Sequence, residues 1–290
     1  MIKKLIPKSL RNKIDRKLKK KFAYTEVTKP YQIHLENGLR RLDGQIAVVT
    51  GGSGVIGRAI ACRLAAEGAK LYVCGTSFAK AQVTVDDVLA LGGQAVPFVI
   101  DLSSEDDIKT KFKEINDAEG RIDLLINSAG GSSREKNARI DQLSINVIDT
   151  ILTINLRGTM LCCREASKYM VDKKAGNIVC ITSVIGERGK AKFSEYAAAK
   201  AGIIAFVKSI AMELGPLGIR VNCVSPGIVP RGEVNGEQVE RLTKTNYLAD
   251  YGKPEDIANM TMFLATTEAS FITGQNIMVD GGRSLGLKGD

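Results

Sequence analysis

Residues 46–57 read Ile46-Ala47-Val48-Val49-Thr50-Gly51-Gly52-Ser53-Gly54-Val55-Ile56-Gly57. A short apolar, β-branched run leads straight into a cluster of glycines. The cluster opens onto a segment in which Ile56, Ala59, Ile60 and Leu64 recur at helical spacing. A strand, a tight turn and a helix are therefore expected in that order. Glycines at such a turn let the chain bend sharply and bring backbone N–H groups close to an anion at the helix start. Glycines also make ordinary turns, so the signal rests on the strand before it and the helix after it.

Outward from this unit the same alternation continues. Strands are expected at 46–50, 71–74, 95–100, 124–127, 177–181, 220–224 and 276–279. Helices are expected at 55–67, 105–117, 144–172, 196–214 and 254–265. Buried strands separated by helices make a parallel sheet covered on both faces, and right-handed crossovers make it doubly wound. The expected fold class is α/β with a doubly wound parallel sheet. Residues 42–290 form one domain of this kind, preceded by an arm over 1–41.

Composition narrows the chemistry. The 290 residues are 44% hydrophobic and 25% charged, as in an ordinary globular protein. No run of about 18 apolar residues exists to span a membrane. The one histidine, His34, precedes the first strand, which argues against a Ser-His-Asp site and against a histidine-rich zinc site. The six cysteines form no Cys-x-x-Cys pair and sit mostly in apolar runs, and no signal-peptide core is present. A reducing, cytoplasmic setting is expected.

The net charge of +9 lies entirely in residues 1–22, which carry ten Lys or Arg against Asp15. The remaining basic and acidic residues cancel, so no nucleic-acid face is expected on the body. In the arm Ile2, Ile6, Leu10, Ile14, Leu18 and Phe22 recur every four residues. A basic amphipathic helix of this kind suits an anionic membrane surface, where each Lys or Arg contributes about 1 kcal/mol. A solvated arm and a helix packed on a second subunit are the competing readings.

Later motifs carry a resemblance. Asn127-Ser128-Ala129-Gly130 follows the fourth strand and Asn155 lies in Ile154-Asn155-Leu156-Arg157-Gly158. Ser183 ends the fifth strand, and Tyr196 and Lys200 form Tyr-x-x-x-Lys. The segments 252–258 and 272–282 close the series. With the glycine turn, these motifs resemble the short-chain dehydrogenase/reductase family from about Leu42 to Gly282. The resemblance implies a seven-stranded Rossmann-type sheet, nicotinamide chemistry on a small-molecule substrate, no catalytic metal, and a homodimer or homotetramer built on the long helices. The 51/54/57 glycine spacing is that of the family's longer branch, with Val55 where the shorter branch has glycine. The carboxyl-terminal motifs place the chain in the shorter branch.

The resemblance assigns Gly51, Ser53, Gly54, Val55, Ile56, Gly57, Thr76, Ser77, Asp101, Leu102, Asn127, Ala129, Gly130, Pro226, Gly227 and Val229 to the dinucleotide, together with Tyr196 and Lys200. No carboxylate follows the second strand at Cys74-Gly75-Thr76-Ser77. NADP is therefore expected over NAD, because an acid there would bind a ribose hydroxyl and repel a 2′-phosphate.

Tyr196 and Lys200 are one helical turn apart, about 6 Å along the axis. A phenol with a reference pKa of about 10 needs a nearby cation to exchange protons near neutrality. Ser183 is expected to hold the substrate oxygen, Tyr196 to exchange its proton, and Lys200 to lower the tyrosine pKa and hold the ribose; the family resemblance implies that Asn155 holds a water linking Lys200 to solvent. Singly, each has an ordinary structural reading; in order they fill the roles of one reaction. Two alternatives use parts of the same set: an epimerase or dehydratase with tightly bound cofactor, and a non-catalytic nucleotide-sensing scaffold. Gly232–Tyr251 is expected to form a polar substrate lid. Arg231 stands where the family has threonine, and with Arg134, Arg188 and Lys244 it is a candidate to meet an anionic substrate.

Overall fold

The computed structural model describes residues 39–132 and 138–286. The basic amphipathic segment and Arg134 lie outside the described residues. Seven parallel strands are β1 (Ile46–Thr50), β2 (Lys70–Gly75), β3 (Gln94–Val99), β4 (Leu124–Asn127), β5 (Gly176–Ile181), β6 (Ile219–Pro226) and β7 (Asn276–Val279), in the order β3-β2-β1-β4-β5-β6-β7. The chain runs outward from β1 to β3, then crosses back to β4 and builds the other half. The strand order therefore reverses at the β1/β4 boundary, where parallel sheets leave a crevice at their carboxyl ends.

Successive side chains of a strand face opposite sides of a sheet. Accordingly, Ala47 and Val49 of β1 join one apolar cluster, and Ile46 and Val48 join another. The first cluster is covered by α1 (Val55–Ala66), α2 (Phe78–Ala90) and α9 (Pro254–Ala265). The second is covered by α3 (Glu105–Glu119), α5 (Gly158–Lys173) and α7 (Ser194–Leu214). Each fully buried Leu, Ile or Phe in these layers contributes about 1.5–3 kcal/mol. Local signals set the ends: Ser104 caps α3 by accepting from the Asp107 N–H at 3.2 Å, and Gly120 ends it at φ 66°. Pro254 opens α9, where its missing N–H costs nothing.

Several local expectations change. The helix expected over 144–172 is α4 (Ile145–Ile151), a π-helical turn Leu152–Arg157 and α5 in succession. The hydrophobic period runs through all three, so pattern alone does not separate them. Helix α2 fills the connection from β2 to β3, and two short helices, α6 (Val184–Arg188) and α8 (Gly236–Thr243), interrupt segments read as loop and lid. β3 ends at Val99, so Asp101 and Leu102 lie in the loop beyond the strand. At the other boundary Arg41 belongs to the body rather than the arm. Its guanidinium bonds both oxygens of buried Glu67 and reaches Glu268, and Leu42 behind it is fully buried.

Candidate active site

A cleft of about 1050 Å³ opens at the carboxyl ends of β1, β4, β5 and β6. At one end lies the glycine turn. Gly51 has φ +65°, and a Cβ there would meet Ala129 Cα at 2.6 Å; a Cβ on Gly57 would meet Gly51 O at 2.2 Å. Only glycine permits this backbone-on-backbone contact. The turn is tied down by Gly52, whose N–H donates to Cys74 O at 3.0 Å and whose carbonyl accepts from buried Thr84 Oγ1 at 3.0 Å. Gly54 is the N-cap of α1, and the first intrahelical bond comes from the Arg58 N–H. The amides of Val55, Ile56 and Gly57 therefore have no partner a turn back in the helix, and all three residues line the cleft. Those amides and the cleft's volume fit a dinucleotide.

At the other end stand Ser183, Tyr196 and Lys200. Ser183 follows β5 and caps α6, its Oγ accepting from the Ile185 N–H at 3.2 Å. Beneath it Thr182 Oγ1, Ser225 Oγ and Asn276 Oδ1 tie together the adjacent strand ends of β5, β6 and β7. Gly186 lets α6 lie against α7, since a Cβ there would meet the Lys200 carbonyl carbon at 2.9 Å. Lys200 is buried; its Nζ donates to Ile181 O at 2.9 Å and lies 5.7 Å from the centre of the Tyr196 ring. Burial pushes its pKa down to about 8, against an upward pull from the neighbouring Cys180 and Cys223.

Comparisons with known proteins agree with this geometry. The family model described as enoyl-(acyl carrier protein) reductase matches residues 51–284. The 3-oxoacyl-[acyl-carrier-protein] reductase of Synechocystis is 37% identical over 243 residues, covering 83% of this chain and 97% of that protein. Carbonyl reductase family member 4 of Xenopus laevis is 37% identical over 84% of this chain and 99% of its own length. Among solved structures, that of a ribose-5-phosphate isomerase from Brucella melitensis matches with a TM-score of 0.75 and 34% identity, over 84% of this chain and 93% of that one. The structure of gox2181 matches with a TM-score of 0.79 and 26% identity, over 86% and 99%. The chain belongs to the short-chain dehydrogenase/reductase family. It is an NAD(P)-dependent oxidoreductase of that family.

In this short-chain dehydrogenase/reductase most residues singled out in the sequence line one cleft: Gly51, Ser53–Gly57, Thr76, Asp101, Leu102, Ala129, Gly130, Ser183, Tyr196, Lys200, Pro226, Gly227 and Val229. Three do not. Asn127 lies under the wall, its amide donating to Cys163 Sγ at 3.2 Å. Asn155 sits in the π turn and spends its side chain on protein partners: Oδ1 accepts from the Gly131 N–H at 3.1 Å, and Nδ2 donates to Gly131 O and Ile151 O. It holds the loop after β4 in place from behind. Ser77 is the N-cap of α2 and does not face the cleft.

Asp101 does line the cleft, but its Oδ1 is occupied by the N–H and hydroxyl of Ser103, which hold its carboxyl below the usual range. Among the basic candidates Arg231 lines the main cleft, as does Arg241, which sequence reasoning missed because α8 was read as loop. Arg188 and Lys244 line a recess beside it. Among the described residues no helix is long and apolar enough to cross a membrane.

Proposed function

We propose that the protein transfers a hydride between NADP(H) and the carbonyl or secondary-alcohol carbon of a small polar substrate, with Tyr196 as the general acid and base. The observation that carries this reading is the Tyr196–Lys200 pair: a buried lysine, fixed to Ile181 O at 2.9 Å, beside a phenol on the wall that also holds Ser183. In carbonyl reduction Ser183 Oγ donates to the substrate oxygen and Tyr196 Oη delivers the proton that makes it a hydroxyl. Lys200, as an ammonium, favours the phenolate left behind. Bound NADPH supplies the hydride. The amides of Val55, Ile56 and Gly57 would hold its pyrophosphate, and Thr76 would offer a hydroxyl to a 2′-phosphate where no carboxylate opposes it. Asn155 acts as a positioning residue through Gly131.

The test is turnover of a panel of polar ketones and alcohols with NADPH and NADH, in wild type and Tyr196→Phe. NADPH is expected to be preferred, and the variant to lose roughly 10²–10⁴-fold in kcat with its NADPH affinity kept. Undiminished turnover in Tyr196→Phe removes the acid–base assignment.

Three wider expectations accompany this reading. The six cysteines are buried and unpaired, which supports a reducing, cytoplasmic compartment. A homodimer or homotetramer would use α4–α5 and α7, where Ile145, Met160 and Met212 are exposed. The charge and spacing of residues 1–22 support peripheral contact with anionic lipid. Because Arg41 belongs to the body, the comparison protein for vesicle co-sedimentation should start at Leu39. Full-length protein is expected to pellet with anionic vesicles and the shortened one to stay in solution; equal recovery excludes the lipid role.

A further inference from the structure

A second recess of about 460 Å³ adjoins the main cleft, and the two share Ser183, Ile185, Lys190, Gly227, Ile228 and Thr245. Its wall carries four cations, Arg188, Lys190, Lys244 and Arg283, and no carboxylate. They come from three distant segments: the end of α6 and the loop after it, the end of α8, and the turn after β7. Lys244 is paired with Glu240 at 3.0 Å. Among the described residues no carboxylate lies within ion-pair distance of Arg188, Lys190 or Arg283. The acids nearest in sequence are engaged elsewhere. Asp280 accepts from the N–H groups of Gly282 and Ser284, and Glu187 accepts from the Asn276 amide. Arg283 is half-buried and oriented, with Nη1 donating to Thr245 O at 3.1 Å and leaving the other guanidinium nitrogens available.

Arg188, Lys190 and Arg283 share one concavity with no ion-pair partner among the described residues; such cations repel one another, and an oxoanion between them relieves that repulsion. Guanidinium groups match carboxylate and phosphate oxygens with paired, charge-assisted bonds. Because Ser183 lines both spaces, a molecule whose reacting oxygen meets Ser183 and Tyr196 has room to extend its other end into this recess. We propose that the substrate carries a carboxylate or phosphate group a few bonds from its carbonyl, and that Arg188 and Arg283 bind it, with Lys190 at the mouth. This deepens the reductase reading above and rests on it. Arg188, already a candidate from sequence to meet an anionic substrate, thereby acquires a partner in Arg283.

The test uses matched probes with NADPH: acetoacetate against methyl acetoacetate, and dihydroxyacetone phosphate against dihydroxyacetone. Wild type is compared with Arg188→Gln/Arg283→Gln and with Arg283→Lys. In wild type the charged member of at least one pair is expected to have the higher kcat/KM, and which pair shows it separates carboxylate from phosphate. The double variant should raise KM for that anion by about 10- to 100-fold at nearly unchanged kcat, leaving its neutral partner unaffected. Arg283→Lys should restore part of the loss. Equal use of charged and neutral probes by wild type, or an equal loss for both in the variant, overturns the proposal while leaving the reductase reading intact. If no probe turns over and NADPH does not bind, the reductase reading fails instead. Calorimetry with malonate and with inorganic phosphate then decides the recess: binding abolished in the double variant supports the anion site, and binding that is absent or unchanged overturns it.

Discussion

The two ends of the cleft are built from different materials. The end formed by the glycine turn is made of backbone: a φ of +65° at Gly51, amides at the start of α1, and a carbonyl held by Thr84. The end around Ser183 and the adjoining recess is made of side chains that arrive from β5, α6, α7, α8 and the turn after β7. Backbone sites require particular residues at fixed short spacing. Side-chain sites require only that distant segments converge, so their residues can differ while the frame stays the same.

The contrast can be tested by perturbing each end. The largest effect is expected at Lys200, whose pKa of about 8 lies below its ordinary 10.5 because it is buried. Between those values the unfolded chain binds more protons than the folded one. Stability relative to Lys200→Met should therefore rise with pH from about 8 to 10.5 by up to about 3 kcal/mol, and be flat below pH 8. Urea unfolding of both proteins at several pH values measures this, and a flat difference throughout would show that Lys200 carries no burial penalty.

Gly51→Ala comes next. The added methyl must enter Ala129 backbone at a φ unfavourable for alanine, at a cost of about 1–3 kcal/mol. A fall in both Tm and NADPH affinity is expected, whereas Arg231→Ala at the side-chain end should leave Tm unchanged. Similar losses of Tm would erase the distinction between the two ends. The smallest effect is expected from Thr76→Asp. A carboxylate at this exposed position should shift the NADPH-to-NADH preference by about tenfold toward NADH, read as a ratio of kcat/KM. No shift would mean that the 2′-phosphate is read elsewhere.

Much of the frame was legible because its signals are local. Strands β1, β4 and β7 have the limits expected from their apolar runs, and Pro254 and Ala265 bound α9 as the pattern indicates. Helix α2 was missed because Phe78, Val83 and Leu89 are exposed and blur the apolar stripe of Ala81, Val85 and Val88. The break at Leu152–Arg157 was invisible because a π turn keeps a helix-like pattern; Asn155 sits there to reach Gly131, and that partner is distant in sequence. Asn127 and Asn155 stand in motifs legible in the sequence, but only the fold shows that their side chains bond Cys163, Gly131 and Ile151 within the protein.

The sequence by itself determined the α/β frame, the glycine turn and the Tyr196–Lys200 spacing, since each depends on residues within a few positions of one another and on periodicities of two or 3.6. Tertiary structure decided which side chains share the cleft, that Lys200 is stripped of water beside Cys180 and Cys223, and that Arg188 and Arg283 face one recess. Those facts depend on packing between segments up to about two hundred residues apart, where burial and long-range geometry, which no local pattern encodes, set the electrostatics.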